Sequence, residues 1–234
     1  MSPNNAISDN LRTVRARIEN AARAGGRESA SISLLAASKT FGPDSVREAV
    51  AAGQADFGEN YVQEALAKMD ALVELPLCWH FIGPIQSNKT RLIAERFAWV
   101  HSVDRLKIAE RLSAQRPEGM PPLEVCLEVN VSAEASKGGV MPAGLPELAA
   151  AVARLPRLRL RGLMAIPKPT QDVAAQREAF RKVRHLFESL RDNGLALDTL
   201  SMGMSGDLEA AVAEGATIVR VGTAIFGNRK REHA

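Results

Sequence analysis

A lysine closes the first strongly apolar run of the chain. Residues 32–38 are nearly all apolar, and the stretch Ala36-Ala37-Ser38-Lys39-Thr40 ends them on a primary amine. A lysine there can extend past a strand end and reach water, as long cationic side chains do. Held in an apolar wall instead, its charged form is disfavoured, its pKa falls, and the amine becomes a nucleophile toward carbonyl carbons. Far downstream, Ser201-Met202-Gly203-Met204-Ser205 and Val221-Gly222-Thr223-Ala224 set hydroxyls and glycines at the ends of two further apolar runs. Small residues let backbone N–H groups approach an anion, and a helix start adds a favourable field. Turn chemistry with Ser205 as a helix N-cap accounts equally well for one such loop; two loops together favour a phosphate. Arg220 lies between Val219 and Val221 and shares a strand face with Ile218 and Gly222. A guanidinium inside a strand is costly unless something accepts its hydrogen bonds, so it calls for a ligand or for a carboxylate on a neighbouring strand.

Other polar residues end apolar runs in the same way. Phe57-Gly58-Glu59-Asn60-Tyr61 and Trp79-His80-Phe81-Ile82-Gly83 bring Asn60 and His80 toward what could be a shared mouth. A histidine flanked by aromatics reads first as a satisfied core residue rather than a catalyst. Gln86-Ser87-Asn88-Lys89 has the composition of a helix start, and Asn130 and Lys137 flank a polar loop, 132–139, that covers the mouth or merely connects. Arg157, Arg159 and Arg161 alternate with leucines at the start of an apolar run, away from that mouth. They read as a solvated basic face, since a nucleic-acid stripe would interleave aromatics.

The elements that must position these residues follow from hydrophobic periodicity. Strands are expected at Ile32–Ser38, Ala55–Gly58, Leu77–Gly83, Trp99–Val103, Leu123–Val131, Leu158–Ile166, Thr199–Met204 and Thr217–Gly222. Between them lie helical patterns, such as Val62, Ala65, Leu66, Met69, Leu72 and Val73 on one face, and Asp104–Gln115 with Asp104 as N-cap. Each strand but the last is followed by a helix. Strands alternating with helices imply βαβ units and a parallel sheet. Eight units with short loops fit a closed (β/α)8 TIM barrel, an α/β fold whose functional groups gather where strands end. The rival, an open doubly wound sheet, lacks its GxGxxG turn here. Ile7, Leu11, Val14 and Ile18 line one face of an additional N-terminal helix. The expected organisation is a single domain, 1–234, with an N-terminal helical extension over 1–27 and a basic tail over 228–234.

Composition agrees. The chain has 234 residues, 46% hydrophobic and 24% charged, so it can fill a core and is not a disordered chain. Aromatics are only 4%, so the core is aliphatic, as buried parallel strands under Ala- and Leu-rich helices require. Net charge is +3, a balance that by itself does not point to nucleic acid. Cys78 and Cys126 lie in apolar runs without CxxC spacing and read as core thiols, with no metal site expected. No leader pattern or membrane-length apolar segment is evident, so a cytoplasmic location and no membrane partner are expected.

Taken together, the motifs resemble the pyridoxal phosphate homeostasis protein family along nearly the whole chain. The matching stretches include Ala36–Thr40, Phe57–Asn60, Trp79–Gly83 with Gln86–Lys89, Gly162–Pro167, Leu200–Ser205 and Arg220–Gly227. The resemblance implies a fold-type III barrel like the N-terminal domain of alanine racemase, with pyridoxal 5′-phosphate (PLP) held as a Schiff base on Lys39. It implies that Ser201, Gly203, Ser205, Gly222 and Thr223 surround the phosphate, that Arg220 faces the pyridine nitrogen, that Asn60 and Met164 line the ring, and that Met204 also belongs to the cofactor site. The chain departs from the family pattern at Phe41-Gly42, where a basic residue is expected. As function the resemblance implies intracellular PLP homeostasis without robust turnover, with PLP-dependent apo-enzymes as recipients and a monomer or weak homodimer as the assembly. The alternatives are a PLP-dependent amino acid racemase and a barrel enzyme for a phosphorylated metabolite. Racemisation needs acid–base groups on both faces of the substrate. Lys39 serves one face; alanine racemases take the other from a tyrosine in a second domain, whereas this chain has only Tyr61 and is expected to end soon after its eighth strand. No catalytic residue is therefore expected.

Overall fold

The computed structural model describes residues 6–132, 134 and 138–227. Lys137 and the expected basic tail lie outside the described residues. Eight parallel strands form a closed barrel in sequence order, the last pairing with the first. They are β1 (Ser33–Ala37), β2 (Asp56–Glu59), β3 (Cys78–Phe81), β4 (Trp99–Val103), β5 (Leu123–Glu128), β6 (Leu158–Met164), β7 (Thr199–Ser201) and β8 (Ile218–Val221). The helices are α1 (Ala6–Ala24), α2 (Pro43–Ala51), α3 (Val62–Ala71), α4 (Thr90–Arg96), α5 (Leu106–Gln115), α6 (Leu145–Val152), α7 (Val173–Asp192), α8 (Leu208–Ala213) and α9 (Thr223–Phe226).

Local chemistry sets several boundaries. Pro43 opens α2, where its missing N–H costs nothing, and the Asp172 carboxylate caps α7 by accepting from the amides of Ala174 and Ala175. The strands are buried on both faces because helices cover the outside of the barrel. The main apolar core lies between sheet and helices and holds Phe57, Phe81, Phe97 and Phe180. A second, small cluster of Leu35, Ala37, Ile82 and Ile218 forms separately from it. α1 buries Ile7, Leu11, Val14 and Ile18 against the shell, each contributing about 1.5–3 kcal/mol. It packs on α8, α9 and α2, and the Asn10 side chain donates to the Ile225 carbonyl.

The structure corrects four expectations. β5, β6 and β7 end at Glu128, Met164 and Ser201, short of Val131, Ile166 and Met204, because the chain leaves the ladder to form the barrel mouth. The Met204 amide, for example, donates to Asp207 Oδ1 rather than to a strand. The last strand is followed by a helix after all, the short α9. Asp104 does not cap α5; that place is Arg105's, and the Asp104 carboxylate pairs with its guanidinium at 2.7 Å. The arginines entering β6 are not a bare solvated face. Arg159 pairs with Glu124, Arg161 with Glu124 and Asp198, and Arg161 also stacks over Trp99 at 4.9 Å.

Candidate functional site

A cavity of about 380 Å³ opens at the C-terminal mouth of the barrel, within the range of small-ligand sites. Lys39, Thr40 and Phe41 line it from the end of β1, Asn60 from β2 and Ile82 from β3. Met204, Ser205 and Gly206 follow β7, and Arg220, Gly222 and Thr223 come from β8 and its turn. Seven residues singled out in the sequence thus meet on one wall: Lys39, Asn60, Met204, Ser205, Arg220, Gly222 and Thr223. Met164, Ser201 and Gly203 lie outside the lining, and Met164 and Ser201 are buried.

Lys39 is half-buried at the top of β1. The next residue, Thr40, adopts φ 69°, a left-handed conformation that costs a β-branched residue on the order of 1–3 kcal/mol. Its amide donates to Glu64 Oε1 at 2.6 Å, and the Phe41 amide returns to the Ser38 carbonyl, so the turn is held in place. Phe41, standing where a basic residue was expected, stacks on Phe226 with ring centroids 5.1 Å apart. Behind Lys39 lies a buried ion pair. Lys68 pairs with Glu59 and donates to the Ser38 carbonyl at 2.8 Å, and Ser38 Oγ donates to Glu59 Oε1 at 2.6 Å. Burial pushes the Glu59 carboxyl above its ordinary range, against the attraction of Lys68. This support was missed in the sequence, where Glu59 and Lys68 read as residues of a strand end and a helix face.

Beside Lys39, the loops that follow β7 and β8 are suited to an anion. The amides of Ser205, Gly206 and Thr223 make no hydrogen bond to any described residue. Gly203 has φ 95°, and a Cβ there would lie 2.5 Å from that of Ala211, so only glycine permits this turn. A Cβ on Gly222 would come within 3.0 Å of the Ala37 carbonyl oxygen, so glycine lets β8 close against β1 beneath the cavity. Ser205 Oγ is 3.4 Å from the Ala224 amide, linking the two loops; the N-cap of α8 is Asp207, not Ser205.

Arg220 is buried, with its Nη1 donating to Ser201 O and Oγ at 2.6 and 2.7 Å and its Nη2 to the Ala165 carbonyl at 3.0 Å. Backbone oxygens and a hydroxyl hold it, rather than the neighbouring-strand carboxylate considered from sequence. Burial pulls its pKa down to about 10, opposed by Glu128 and Asp207. Asn60 Oδ1 is buried without a partner among the described residues. His80 does not face the mouth. It is buried, bonded to His101 and Asp56. His101 was overlooked, although a histidine inside the apolar strand Trp99–Val103 was a visible signal. Tyr61 is 52% exposed and, with Lys89, lines a separate cavity of about 160 Å³. Asn130, seven residues from Lys137, donates to the Glu134 carbonyl and is not on the lining.

The family profile described as "Alanine racemase, N-terminal domain" matches residues 4–230. Pyridoxal phosphate homeostasis proteins of Pseudomonas aeruginosa and Escherichia coli K12 are 65% and 54% identical. These matches cover 95% and 96% of this chain and 96% and 97% of those proteins. The chain belongs to the pyridoxal phosphate homeostasis protein family. PipY of Synechococcus elongatus, solved with PLP bound, superposes with a TM-score of 0.83 at 39% identity, covering 94% of this chain and all of PipY. Alanine racemase from Corynebacterium glutamicum shares the barrel, with a TM-score of 0.69 at 16% identity, over 98% of this chain and 62% of that one. The homeostasis family and the racemases therefore have the barrel in common.

Proposed function

We propose that this chain binds PLP in the mouth cavity, covalently through Lys39, and serves intracellular PLP homeostasis as a carrier. The observation that carries the reading is one cavity wall joining an amine to an anion cradle: Lys39 with the unengaged amides of Ser205, Gly206 and Thr223. The residues present fit the group. Its phosphate would take those amides and the Ser205 and Thr223 hydroxyls, its ring would lie near Asn60, whose Oδ1 lacks a partner, and Arg220 would meet the pyridine nitrogen. Met164, Ser201 and Gly203 would act from behind the lining. PLP supplies an aldehyde that condenses with a primary amine and releases water. The chain's own residues hold the anion, orient the ring and present the Lys39 amine; an arginine at the ring nitrogen cannot give up the proton that an acidic partner would share.

The PLP-bound structure of PipY and the names of the relatives support the ligand and the role. PLP-dependent apo-enzymes are the proposed recipients. No described helix is long and apolar enough to cross a membrane, and two free thiols suit a reducing compartment, which supports the cytoplasm. Titrating the purified chain with PLP tests the reading. A visible absorption band should appear, and Lys39→Ala should abolish it while leaving the far-UV circular dichroism unchanged. A folded Lys39→Ala chain that still develops the band would refute the attachment.

A further inference from the structure

A line of hydrogen bonds leaves the cavity through Arg220 and ends at the opposite end of the barrel. Arg220 Nη1 donates to Ser201 Oγ on β7, which is 2.7 Å from His101 Nδ1 on β4. His101 Nε2 is 3.0 Å from His80 Nδ1 on β3, and His80 Nε2 is 3.2 Å from Asp56 Oδ1. Asp56 is the first residue of β2, at the barrel floor, with its side chain 41% exposed. The other four residues are buried.

The protons of this line are set by its two ends, with Cys78 Sγ as a further neighbour 3.3 Å from His80 Nε2. The His80 hydrogen bond holds the Asp56 carboxyl below its ordinary range, so it is a carboxylate and only accepts. His80 Nε2 must then carry a proton. Burial keeps His80 and His101 neutral, so each ring carries one N–H. His80 Nδ1 is therefore bare and accepts from His101 Nε2. His101 Nδ1 is bare in turn and accepts from the Ser201 hydroxyl, whose lone pairs are left to Arg220. The reverse order would set a bare Nε2 against a carboxylate oxygen, with only the weak Cys78 thiol donor, 3.3 Å away, to offset the repulsion. It would also leave the Ser201 hydroxyl proton without an acceptor among the described residues.

We propose that Asp56, His80, His101 and Ser201 form a positioning relay that anchors Arg220 in the cavity wall and ties its orientation to a carboxylate at the barrel floor. Each donor polarises the next, so Ser201 Oγ becomes a stronger acceptor for the guanidinium than an isolated hydroxyl. Its effect on PLP rests on the function proposed above; the relay itself is a property of the protein alone. It gives Ser201 a task away from the phosphate: its hydroxyl directs Arg220.

The test is a two-bond 1H–15N spectrum of the imidazoles in the full 15N-labelled chain, recorded without and with PLP. His80 and His101 should both be neutral with the proton on Nε2 in both states. Asp56→Asn, whose amide oxygen still accepts, should keep those tautomers and the PLP affinity. Asp56→Leu should disturb the tautomers and weaken PLP about two- to fourfold, the share of one charged hydrogen bond that such polarisation carries. An Nδ1 proton or an imidazolium on either ring of the unaltered chain would overturn the relay, a reading that needs no variant to fold. A divalent cation taken by Asp56, Cys78 and His80, whose candidate ligand atoms lie within 4.8 Å of one another, would strip Nε2 and overturn it too. So would an Asp56→Leu chain with unchanged tautomers and PLP affinity. Nε2 tautomers in a chain that never takes up PLP would instead uphold the relay and refute the proposed function.

Discussion

Replacing Lys68 by methionine should destabilise the fold by about 3–5 kcal/mol at neutral pH, the usual result of stranding one member of a buried ion pair. Glu59 is fully buried, and Lys68 is 3% exposed. Glu59 Oε1 receives Ser38 Oγ and Lys68, whereas Oε2 meets no donor among the described residues. Without the ammonium a single hydroxyl would stand against the desolvation of a carboxylate. Burial already raises the Glu59 carboxyl above 4.5, and loss of Lys68 should raise it further. A carboxyl raised in the folded state contributes stability at pH values below its unfolded pKa and loses it as pH rises through the folded one. The deficit of Lys68→Met should therefore be small at acidic pH, where Glu59 is protonated in both chains, and grow by up to about 1.4 kcal/mol per pH unit once the parent's Glu59 ionises. Urea denaturation of the parent, Lys68→Met and the Lys68→Met/Glu59→Gln double variant, at acidic and mildly alkaline pH, measures this. The double variant should recover most of the loss. A deficit under about 1 kcal/mol at alkaline pH, or one equal at both pH values, would refute the argument, since exposed pairs behave that way.

Two further predictions concern the cavity. Pyridoxal, lacking the phosphate, should bind at least about a hundredfold more weakly than PLP, because each lost charge-assisted hydrogen bond accounts for roughly 1.5–3 kcal/mol and 1.4 kcal/mol is tenfold; equal affinities in a fluorescence titration would place the phosphate elsewhere. The PLP-loaded chain should convert L-alanine to D-alanine slower than one turnover per second, below the ordinary enzyme range of roughly 1–10³ per second, because the chain's one tyrosine, Tyr61, lines a different cavity; faster racemisation, lost in Lys39→Ala, would make the protein a racemase.

The barrel was legible because each parallel strand is buried on both faces and reads as a short apolar run between helical patterns. Strand ends were less legible. At Met204 a side chain, Asp207, takes the amide that a ladder would have used, and no periodicity reports that. Lys39, Arg220 and the glycine loops stood out because polar or flexible residues interrupt apolar runs there, and the structure gathers most of them on one wall. The Glu59–Lys68 pair and the line from Ser201 to Asp56 were not readable. Their partners come from different strands and helices, so only the closure of the barrel brings them together. Ser201 shows the difference most clearly: its place in a small-residue loop suggested a phosphate contact, whereas its hydroxyl meets His101 and Arg220.

Borohydride reduction of the PLP-loaded chain, followed by mass mapping of its peptides, shows directly whether Lys39 holds the cofactor. Reduction fixes the linkage to whichever amine holds the cofactor. One pyridoxyl mass is expected, on the peptide containing Lys39. A pyridoxyl group on Lys89 or Lys137 with Lys39 unmodified, or no modified peptide from a chain that had taken up PLP, would contradict it.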